Sequence, residues 1–325
     1  MASKKVNTRL KSEDNTGFGT NSSYSGGRFF NREGGANIRK KGVGVLDRYS
    51  WYHTMLDMPR GKFLLLLLTS YVVINLVFAG IYYLIGTEHL AGIIAHSAWE
   101  NFMEVFFFST QTFTTVGYGR ISPTGLATSA VATFEAFLGL LNFAIATGLF
   151  YGRFSRPQAF LRFSHNALIT PHKGGIALMF RMSPFKNNNL SEAEVKLTLA
   201  MQVEENGSMA NKFYGLDLEI SKINALALSW TVVHPINEKS PLYEFTEADF
   251  KNTRIELLVY VKAFDEVFSN TVVGRTSYIS PEIIWGARFN LMYEPSEDKT
   301  HTVLDLDKLN AYTKEEIILP ERILQ

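Results

Sequence analysis

The first half of the chain carries two long apolar stretches, whereas the second half alternates apolar and polar positions. Residues 63–85 contain no charged side chain, and as a helix they span about 34 Å, enough for the hydrocarbon core of a bilayer. Residues 121–152 contain one charge, Glu135, and are rich in the small residues that let membrane helices approach closely. This pattern predicts two transmembrane helices, over residues 63–85 and 124–152.

Beyond residue 156 apolar side chains recur at every second position, as they do in strands with one buried face. The clearest runs are residues 176–182, 195–203, 226–232 and 255–261. Turn-forming residues separate these runs at 187–189, 205–208 and 237–241. This spacing predicts an antiparallel, all-β immunoglobulin-like sandwich over residues 157–325.

The N-terminal part of the chain is basic and polar. Residues 1–40 lack apolar periodicity, which predicts a disordered tail, and no apolar core of a signal peptide occurs before Phe63. From residue 46 to Pro59 apolar side chains recur at three- and four-residue steps. They predict a helix within residues 41–59 that lies on the inner membrane surface. A linker with incidental aromatic residues is the alternative.

Composition excludes several classes of function. The 325 residues include no cysteine, which excludes disulfides, thiolate zinc sites and iron–sulfur clusters. The net charge of +1 argues against a nucleic-acid partner. The histidines lack the spacing of metal ligands and no nucleophile-elbow pattern is present, so we expect no enzyme activity and no cofactor.

The distribution of charge predicts the orientation in the membrane. Residues 1–62 hold 12 Lys and Arg against 5 Asp and Glu, and Arg153 and Arg156 follow the second span. The loop between the spans holds one basic residue, Arg120. By the positive-inside rule both termini lie in the cytoplasm of a protein that crosses the inner (plasma) membrane twice.

The segment between the two spans carries the motif that indicates function. Residues 98–112 are apolar and aromatic but too short to cross a bilayer, which predicts a pore helix that ends within the membrane. The residues after it match the selectivity-filter motif of potassium channels. They are Thr114, Thr115, Val116, Gly117, Tyr118 and Gly119.

Potassium supplies a physical reason for this motif. An ion that sheds its water needs a ring of uncharged oxygens, which here are the backbone carbonyls from Thr115 to Tyr118 and the Thr115 hydroxyl. Gly117 and Gly119 supply the unusual backbone angles that let these carbonyls face one way. One chain contributes a quarter of such a ring, so we expect a homotetramer with K⁺ as its permeant ligand.

The C-terminal half narrows the resemblance. Residues 228–242 (LSWTVVHPINEKSPL) and 282–289 (EIIWGARF) resemble two signature segments of the cytoplasmic domain of bacterial inward-rectifier potassium channels. Residues 146–157 resemble the end of the inner helix in that family. The resemblance implies a tetrameric pore of two transmembrane helices and one pore helix per chain, followed by a cytoplasmic β-sandwich. With it comes the expectation of a voltage-gated current.

The interpretation as a channel assigns roles to several groups of residues. The pore cavity and gate residues are Asn142, Phe143, Thr147, Gly148 and Tyr151. The filter is supported by Gln111, Arg120 and Glu135. The basic residues expected to face lipid are Arg60, Lys62, Arg153 and Arg156. Anionic lipid is one candidate for this lipid. The loop that narrows the cytoplasmic pore begins with Asp265 and Glu266.

The chain departs from the family pattern at several of these positions. Gln111 stands where many members have a glutamate that pairs with a basic residue after the filter, so that ion pair is not expected here. Phe143 replaces the acid that strong rectifiers carry in mid inner helix, and Lys222 and Lys262 align with their cytoplasmic acids. These exchanges predict weak block by polyamines and Mg²⁺.

Some alternatives stay open at the level of sequence. Glu135 either hydrogen-bonds to the pore helix from behind the filter, or is protonated and inert. Three candidates remain for the stimulus that opens the gate: lipid head groups, protons and a cytoplasmic ligand. The rival function is a membrane-anchored ligand sensor with a non-conducting pore, against which the unbroken filter motif argues.

Overall fold

A computed structural model of the chain describes residues 28–39, 41–42, 44, 50–186, 188–205 and 208–317. These residues form two compact units. The membrane unit covers residues 41–156. The β-unit covers residues from 157 onward together with the described part of residues 1–40.

The membrane unit is helical. Its helices are α1 (Trp51–Asp57), α2 (Arg60–Ile85), α3 (Ala98–Phe113) and α4 (Leu126–Phe154). A short antiparallel pair, β1 (Leu90–Ala91) and β2 (Ser122–Pro123), joins the loops on either side of α3. Helices α2 and α4 are long and apolar enough to cross a membrane.

The ends of these helices have local causes. Helix α1 begins after Ser50, whose hydroxyl accepts a hydrogen bond from the His53 amide at 3.4 Å, and ends before Pro59. It is shorter than the helix predicted within residues 41–59, of which residues 43 and 45–49 lie outside the described part of the chain. Helix α4 begins two residues later than predicted, because Gly125 has a φ of 82° that no helix can include.

The pore helix α3 is held against both long helices. Its N-cap Ser97 accepts a hydrogen bond from the Glu100 amide at 3.2 Å. Phe108 packs edge to face on Tyr82 of α2, with 5.2 Å between ring centroids. Together with Phe78, Ala79 and Val105 these side chains form the buried core of the membrane unit. Burial of this core fixes where α3 ends relative to α2 and α4.

The β-unit contains fourteen described strands and the short helix α5 (Glu247–Asn252). The strands are β3 (Leu161–Phe163), β4 (Ala167–His172), β5 (Gly175–Pro184), β6 (Leu190–Glu205), β7 (Ser208–Leu216), β8 (Lys222–Leu226), β9 (Trp230–Ile236), β10 (Ile255–Asp265), β11 (Asn270–Ile279), β12 (Ile283–Trp285), β13 (Ala287–Phe289), β14 (Tyr293–Pro295), β15 (Thr302–Leu304) and β16 (Tyr312–Lys314).

Two five-stranded sheets enclose one core. The first has the order β11-β10-β6-β7, with β8 also paired to β6, and the second has the order β12-β4-β5-β3, with β9 paired to β5. Leu199 and Leu257 pair across the first sheet and pack against Leu178 and Phe180 of the second. The alternation read from the sequence selects these inward-facing positions, and the predicted all-β domain is confirmed.

One predicted strand is wrong. Residues 226–232 do not form a single strand, because the chain changes sheets within them. Strand β8 ends at Leu226 on the edge of the first sheet, and β9 begins at Trp230 in the second. The apolar residues on both sides of this crossing face the same core, so the alternation continues although the strand does not.

The prediction of disorder over residues 1–40 is wrong for residues 28–39, while residues 1–27 lie outside the described residues. The N-terminal segment, residues 28–39, lies on the outer face of the first sheet. Phe29 is buried against Phe213, and the amide nitrogens of Phe29 and Phe30 donate to the Glu256 carboxylate at 2.6 and 3.1 Å. Tertiary contacts therefore order a stretch whose own composition favours disorder.

Two arginines complete the attachment of the N-terminal segment. Arg28 lies 2.9 Å and Arg32 2.5 Å from the Glu282 carboxylate. Burial alone would raise the pKa of Glu282, but hydrogen bonds from the Ile279 amide and from both arginines hold it below its usual value. The carboxylate is thus charged at neutral pH and holds the segment in place.

Candidate ion-conduction site

The predicted filter begins where α3 ends, and it is suspended from the last turn of that helix. The amides of Val116 and Gly117 donate to the Gln111 carbonyl at 2.9 and 3.2 Å, and the Thr115 amide donates to the Thr112 carbonyl at 3.0 Å. Carbonyls in the last turn of a helix lack intrahelical partners, and here the filter supplies them. Gln111 thus contacts the filter through its backbone oxygen.

The backbone of the filter alternates in handedness. Thr115, Gly117 and Gly119 have φ values of 61°, 50° and 82°, whereas Val116 and Tyr118 between them keep negative φ. Such alternation is the backbone geometry that can bring successive carbonyls to one side of the chain. The sequence pointed to the two glycines but not to Thr115, a β-branched residue held in a strained conformation.

Arg120, directly after the filter, is paired with an acid on the pore helix. Its guanidinium contacts both oxygens of the Glu104 carboxylate, at 2.9 and 3.0 Å, and donates to the Gly92 carbonyl at 3.2 Å. An ion pair with residue 111 is absent as expected, since Gln111 is neutral. Glu104 lies two turns before Gln111 on α3, and it pairs with Arg120 in place of an acid at residue 111.

Behind the filter lies a buried polar cluster centred on Glu135 of α4. The Tyr82 hydroxyl of α2 donates to Glu135 Oε2 at 2.6 Å, and the Ser109 hydroxyl of α3 lies 2.5 Å from Glu135 Oε1. Ser109 also lies 3.1 Å from the Asn75 side-chain oxygen. The cluster therefore joins α2, α3 and α4. Neither Tyr82 nor Ser109 was singled out from the sequence.

A cavity of about 460 Å³ lies between the end of α3 and the facing sides of α2 and α4. Its lining residues are Tyr71, Phe113, Thr114, Thr115, Gly139, Leu140, Asn142, Phe143 and Ala146. Phe143 is 74% exposed on the single chain, and Tyr151, two turns further along α4, is 75% exposed. Thr147 and Gly148 lie between them on the same exposed part of the helix.

Gly139 allows α4 to touch the end of the pore helix. A Cβ built at this position would lie 1.8 Å from the Phe113 carbonyl oxygen, one residue before the filter begins. Any side chain therefore requires α3 and α4 to move apart.

We expect Gly139→Ala to destabilise the membrane unit by about 1–3 kcal/mol per chain, because overpacking displaces backbone. Thermal unfolding in detergent measures this, and Gly80→Ala is the matched control. Gly80 lies in α2 with no atom within 4 Å of a built Cβ. Equal melting temperatures of the two variants would contradict the close approach of α3 and α4.

Two of the four basic residues predicted to face lipid are engaged with helix α1. Arg153 donates to the carbonyl oxygens of Met55, Leu56 and Met58, the last at 2.6 Å, and Arg156 pairs with Asp57. These carbonyls end a helix and lack partners of their own, which is why a guanidinium binds there.

Contact of Arg153 and Arg156 with lipid stays a prediction, and both side chains already have partners within the chain. Arg60 and Lys62 stay exposed in the first turn of α2.

The predicted residues of the cytoplasmic pore lie on the β-unit. Asp265 is buried at the end of β10, where its side chain accepts hydrogen bonds from the Val267 and Phe268 amides at 2.9 and 3.1 Å. It shapes the β10–β11 turn, whereas its neighbour Glu266 is exposed.

The two lysines that align with the cytoplasmic acids of strong rectifiers lie beside acids of β6. Lys222 Nζ lies 3.3 Å from Glu192, and Glu194 on β6 is the register partner of both Lys222 on β8 and Lys262 on β10. These acids reduce the repulsion of cations that the lysines predict.

His234, in the signature segment 228–242, is buried and hydrogen-bonded through both ring nitrogens. Its ring nitrogens lie 2.6 Å from the Asp217 carbonyl oxygen and 2.8 Å from the Ser240 hydroxyl. Burial lowers the pKa of His234, so the ring is neutral at physiological pH. It ties the turn after β9 to the chain before β8.

Comparison with known proteins agrees with this geometry. Residues 161–321 match the family model described as "Inward rectifier potassium channel C-terminal domain", and residues 70–156 match the model "Ion channel". The chain is 34% identical over 287 residues to the inward rectifier potassium channel Kirbac3.1 of Paramagnetospirillum magnetotacticum, which covers 87% of this chain and 95% of that protein.

Two animal proteins are also similar. The G protein-activated inward rectifier potassium channel 2 of Pongo abelii is 29% identical over 81% of this chain and 67% of its own length. The inward rectifier potassium channel irk-1 of Caenorhabditis elegans is 25% identical over 87% of this chain and 56% of its own length.

These relatives confirm the resemblance read from the signature segments and correct one expectation. Voltage gating is not supported, because the matched proteins are inward rectifiers. The described spanning helices also lack the row of arginines that senses voltage, since their basic residues, Arg60, Lys62 and Arg153, stand at the helix ends. The chain belongs to the inward-rectifier family of potassium channels, which are membrane ion channels and not enzymes.

Proposed function

We propose that four copies of this chain form a pore in the inner (plasma) membrane, and that K⁺ crosses it through the residues from Thr114 to Gly119. The observation that carries this proposal is the alternating backbone of Thr115, Gly117 and Gly119, hung from the pore helix through the Gln111 carbonyl. In this arrangement both termini and the β-unit lie in the cytoplasm. Four β-units around one axis then lengthen the pore.

Rubidium flux into liposomes containing the purified protein tests this function. We expect rubidium flux that barium blocks, and no corresponding flux of sodium. Chemical crosslinking of the same protein should show a particle of four chains. A tetramer that never passes rubidium would favour the rival function, a ligand sensor with a non-conducting pore.

The gate in this proposal is a ring of Tyr151 side chains near the cytoplasmic end of α4. The ring of Tyr151 is exposed on the single chain and lies about one turn beyond Gly148, where a built Cβ meets no atom within 4 Å. Four aromatic rings on one axis would close the pore by excluding water. Rotation of α4 at Gly148 would separate them.

We expect Tyr151→Ala to raise basal rubidium flux severalfold where the wild type is mostly shut, because the dewetted constriction is lost. Tyr151→Phe keeps the ring and serves as the control, with flux near the wild-type level. Unchanged flux in the alanine variant would contradict the assignment of the gate to Tyr151, and the constriction would then lie at Phe143 or in the loop after Asp265.

The stimulus that opens this gate is proposed to include anionic lipid at Arg60 and Lys62, which are the exposed basic residues of α2. Arg153 and Arg156 instead connect α4 to α1. A lipid bound at the start of α2 therefore lies beside α1. The end of α1 is in turn bound by Arg153 of α4, the helix that carries Tyr151.

A further inference from the structure

The buried cluster behind the filter contains an acid without a basic partner. Glu135 is fully buried, and among the residues that the structure describes it forms no ion pair. A carboxylate at that depth without a cation is unfavourable by several kcal/mol. Its hydrogen-bond partners are two hydroxyl groups, one from each of the other two helices.

The hydrogens available to this cluster can be counted. Three groups of oxygen–oxygen contacts run in sequence. Tyr82 lies 2.6 Å from Glu135, and Glu135 lies 2.5 Å from Ser109. The Ser109 hydroxyl in turn lies 3.1 Å from Asn75 Oδ1 and 3.2 Å from the Asn75 backbone carbonyl oxygen. The Asn75 amide nitrogen donates to the Tyr71 carbonyl at 2.7 Å, which leaves its oxygen facing Ser109. Each of the three links, Tyr82–Glu135, Glu135–Ser109 and Ser109–Asn75, needs one hydrogen, and the two Asn75 oxygens can share the one from Ser109.

An ionised Glu135 leaves the cluster one hydrogen short. The Tyr82 and Ser109 hydroxyls supply two hydrogens for three links, and Ser109 then has none to give to either oxygen of Asn75. A protonated Glu135 supplies the third. It donates to Ser109, Ser109 donates to Asn75, and Tyr82 donates to the remaining carboxyl oxygen.

We propose that Glu135 is a neutral carboxylic acid in the working protein, and that its proton holds the pore helix α3 between α2 and α4. Glu135 is thus a positioning residue, which acts through Ser109, five residues before Thr114. The protonation stands on the geometry alone, whereas the effect on conduction rests on the proposed function.

The same geometry makes the site sensitive to alkaline pH. The titratable group that α2 presents to Glu135 is Tyr82, and α3 presents the Ser109 hydroxyl, which does not titrate. Loss of the Glu135 proton would place a charge among these groups without a cation. The contact between Ser109 and Asn75 would break, and α3 would lose one of its attachments to α2.

Infrared difference spectroscopy of the full-length protein tests the protonation directly. The spectrum of the wild type minus that of Glu135→Gln should contain the carbonyl stretch of a protonated carboxylic acid at neutral pH. Absence of that band would overturn the proposal, whether or not the protein conducts.

Flux of the same variants tests the positioning role. The amide of Glu135→Gln can donate to Ser109 and accept from Tyr82, so we expect its rubidium flux to stay within about twofold of the wild type. Its flux should also remain constant at alkaline pH, where wild-type flux falls. Ser109→Ala and Glu135→Ala should both lose flux.

Two results would contradict the positioning role. Loss of flux in Glu135→Gln equal to that in Glu135→Ala would show that the charge is needed, and an alkaline decline shared by Glu135→Gln would assign the pH response elsewhere. A wild-type protein without flux would count against the proposed function and leave the infrared result standing.

Discussion

We expect Gly117→Ala to abolish potassium-selective flux. Gly117 has a φ of 50°, where an L-residue is disfavoured by about 1–2 kcal/mol, and the tetramer contains four copies. No atom of the chain lies within 4 Å of a built Cβ, so the effect comes from the backbone and not from a collision. The alanine would relax towards negative φ and turn a carbonyl away from the ion.

Rubidium and sodium flux in liposomes measures this outcome, with Gly80→Ala as the control. Gly80 also meets no atom within 4 Å, yet it lies within α2 at an ordinary helical φ. The same added methyl group should therefore leave flux unchanged there. Wild-type potassium selectivity in Gly117→Ala would overturn the assignment of the filter.

Phe143→Asp should convert a channel with little polyamine block into one that spermine blocks strongly. Phe143 lines the cavity below Thr115. At an effective dielectric of about 20, an acid ~6 Å from a polyamine charge contributes roughly 2–3 kcal/mol, or about 30- to 150-fold in affinity, before screening. Fourfold symmetry would place four such acids around the bound cation.

The matched control for this experiment is Phe143→Asn, which has the shape of the aspartate without its charge. We expect Phe143→Asn to resemble the wild type in outward current recorded with spermine on the cytoplasmic side. Steep block of the wild type would instead show that the cytoplasmic acids suffice. Because Glu192 and Glu194 lie beside Lys222 and Lys262, that outcome would indicate that spermine binds to the β-unit.

The elements predicted from sequence are those whose cause is local. Helices α2 and α4 follow from uninterrupted apolar composition, and the core positions of β6 and β10 follow from strict alternation. Gly117 and Gly119 were recognisable because glycine is the residue that readily adopts positive φ. In each case the signal lies within a few neighbouring residues.

The features that sequence analysis missed depend on contacts between distant residues. Thr115 has positive φ because the chain must turn back onto the carbonyl at the end of α3, against the preference of a β-branched residue. The pairing of Arg120 with Glu104 joins residues 16 positions apart in the chain. Arg120 is the one basic residue between the spans, and a search for its nearest acid on the pore helix could have found this pair.

The attachment of the N-terminal segment constrains how the protein is made. Arg28 is synthesised 254 residues before its partner Glu282, and both spanning helices are translated in between. A fragment that starts at residue 157 would leave Phe213 and Leu258 without the Phe29 ring that covers them. A soluble form of the β-unit should therefore carry residues 28–39 as a fused or added peptide. In the full chain, the ribosome must synthesise most of the protein before the N-terminal segment can bind to the β-unit.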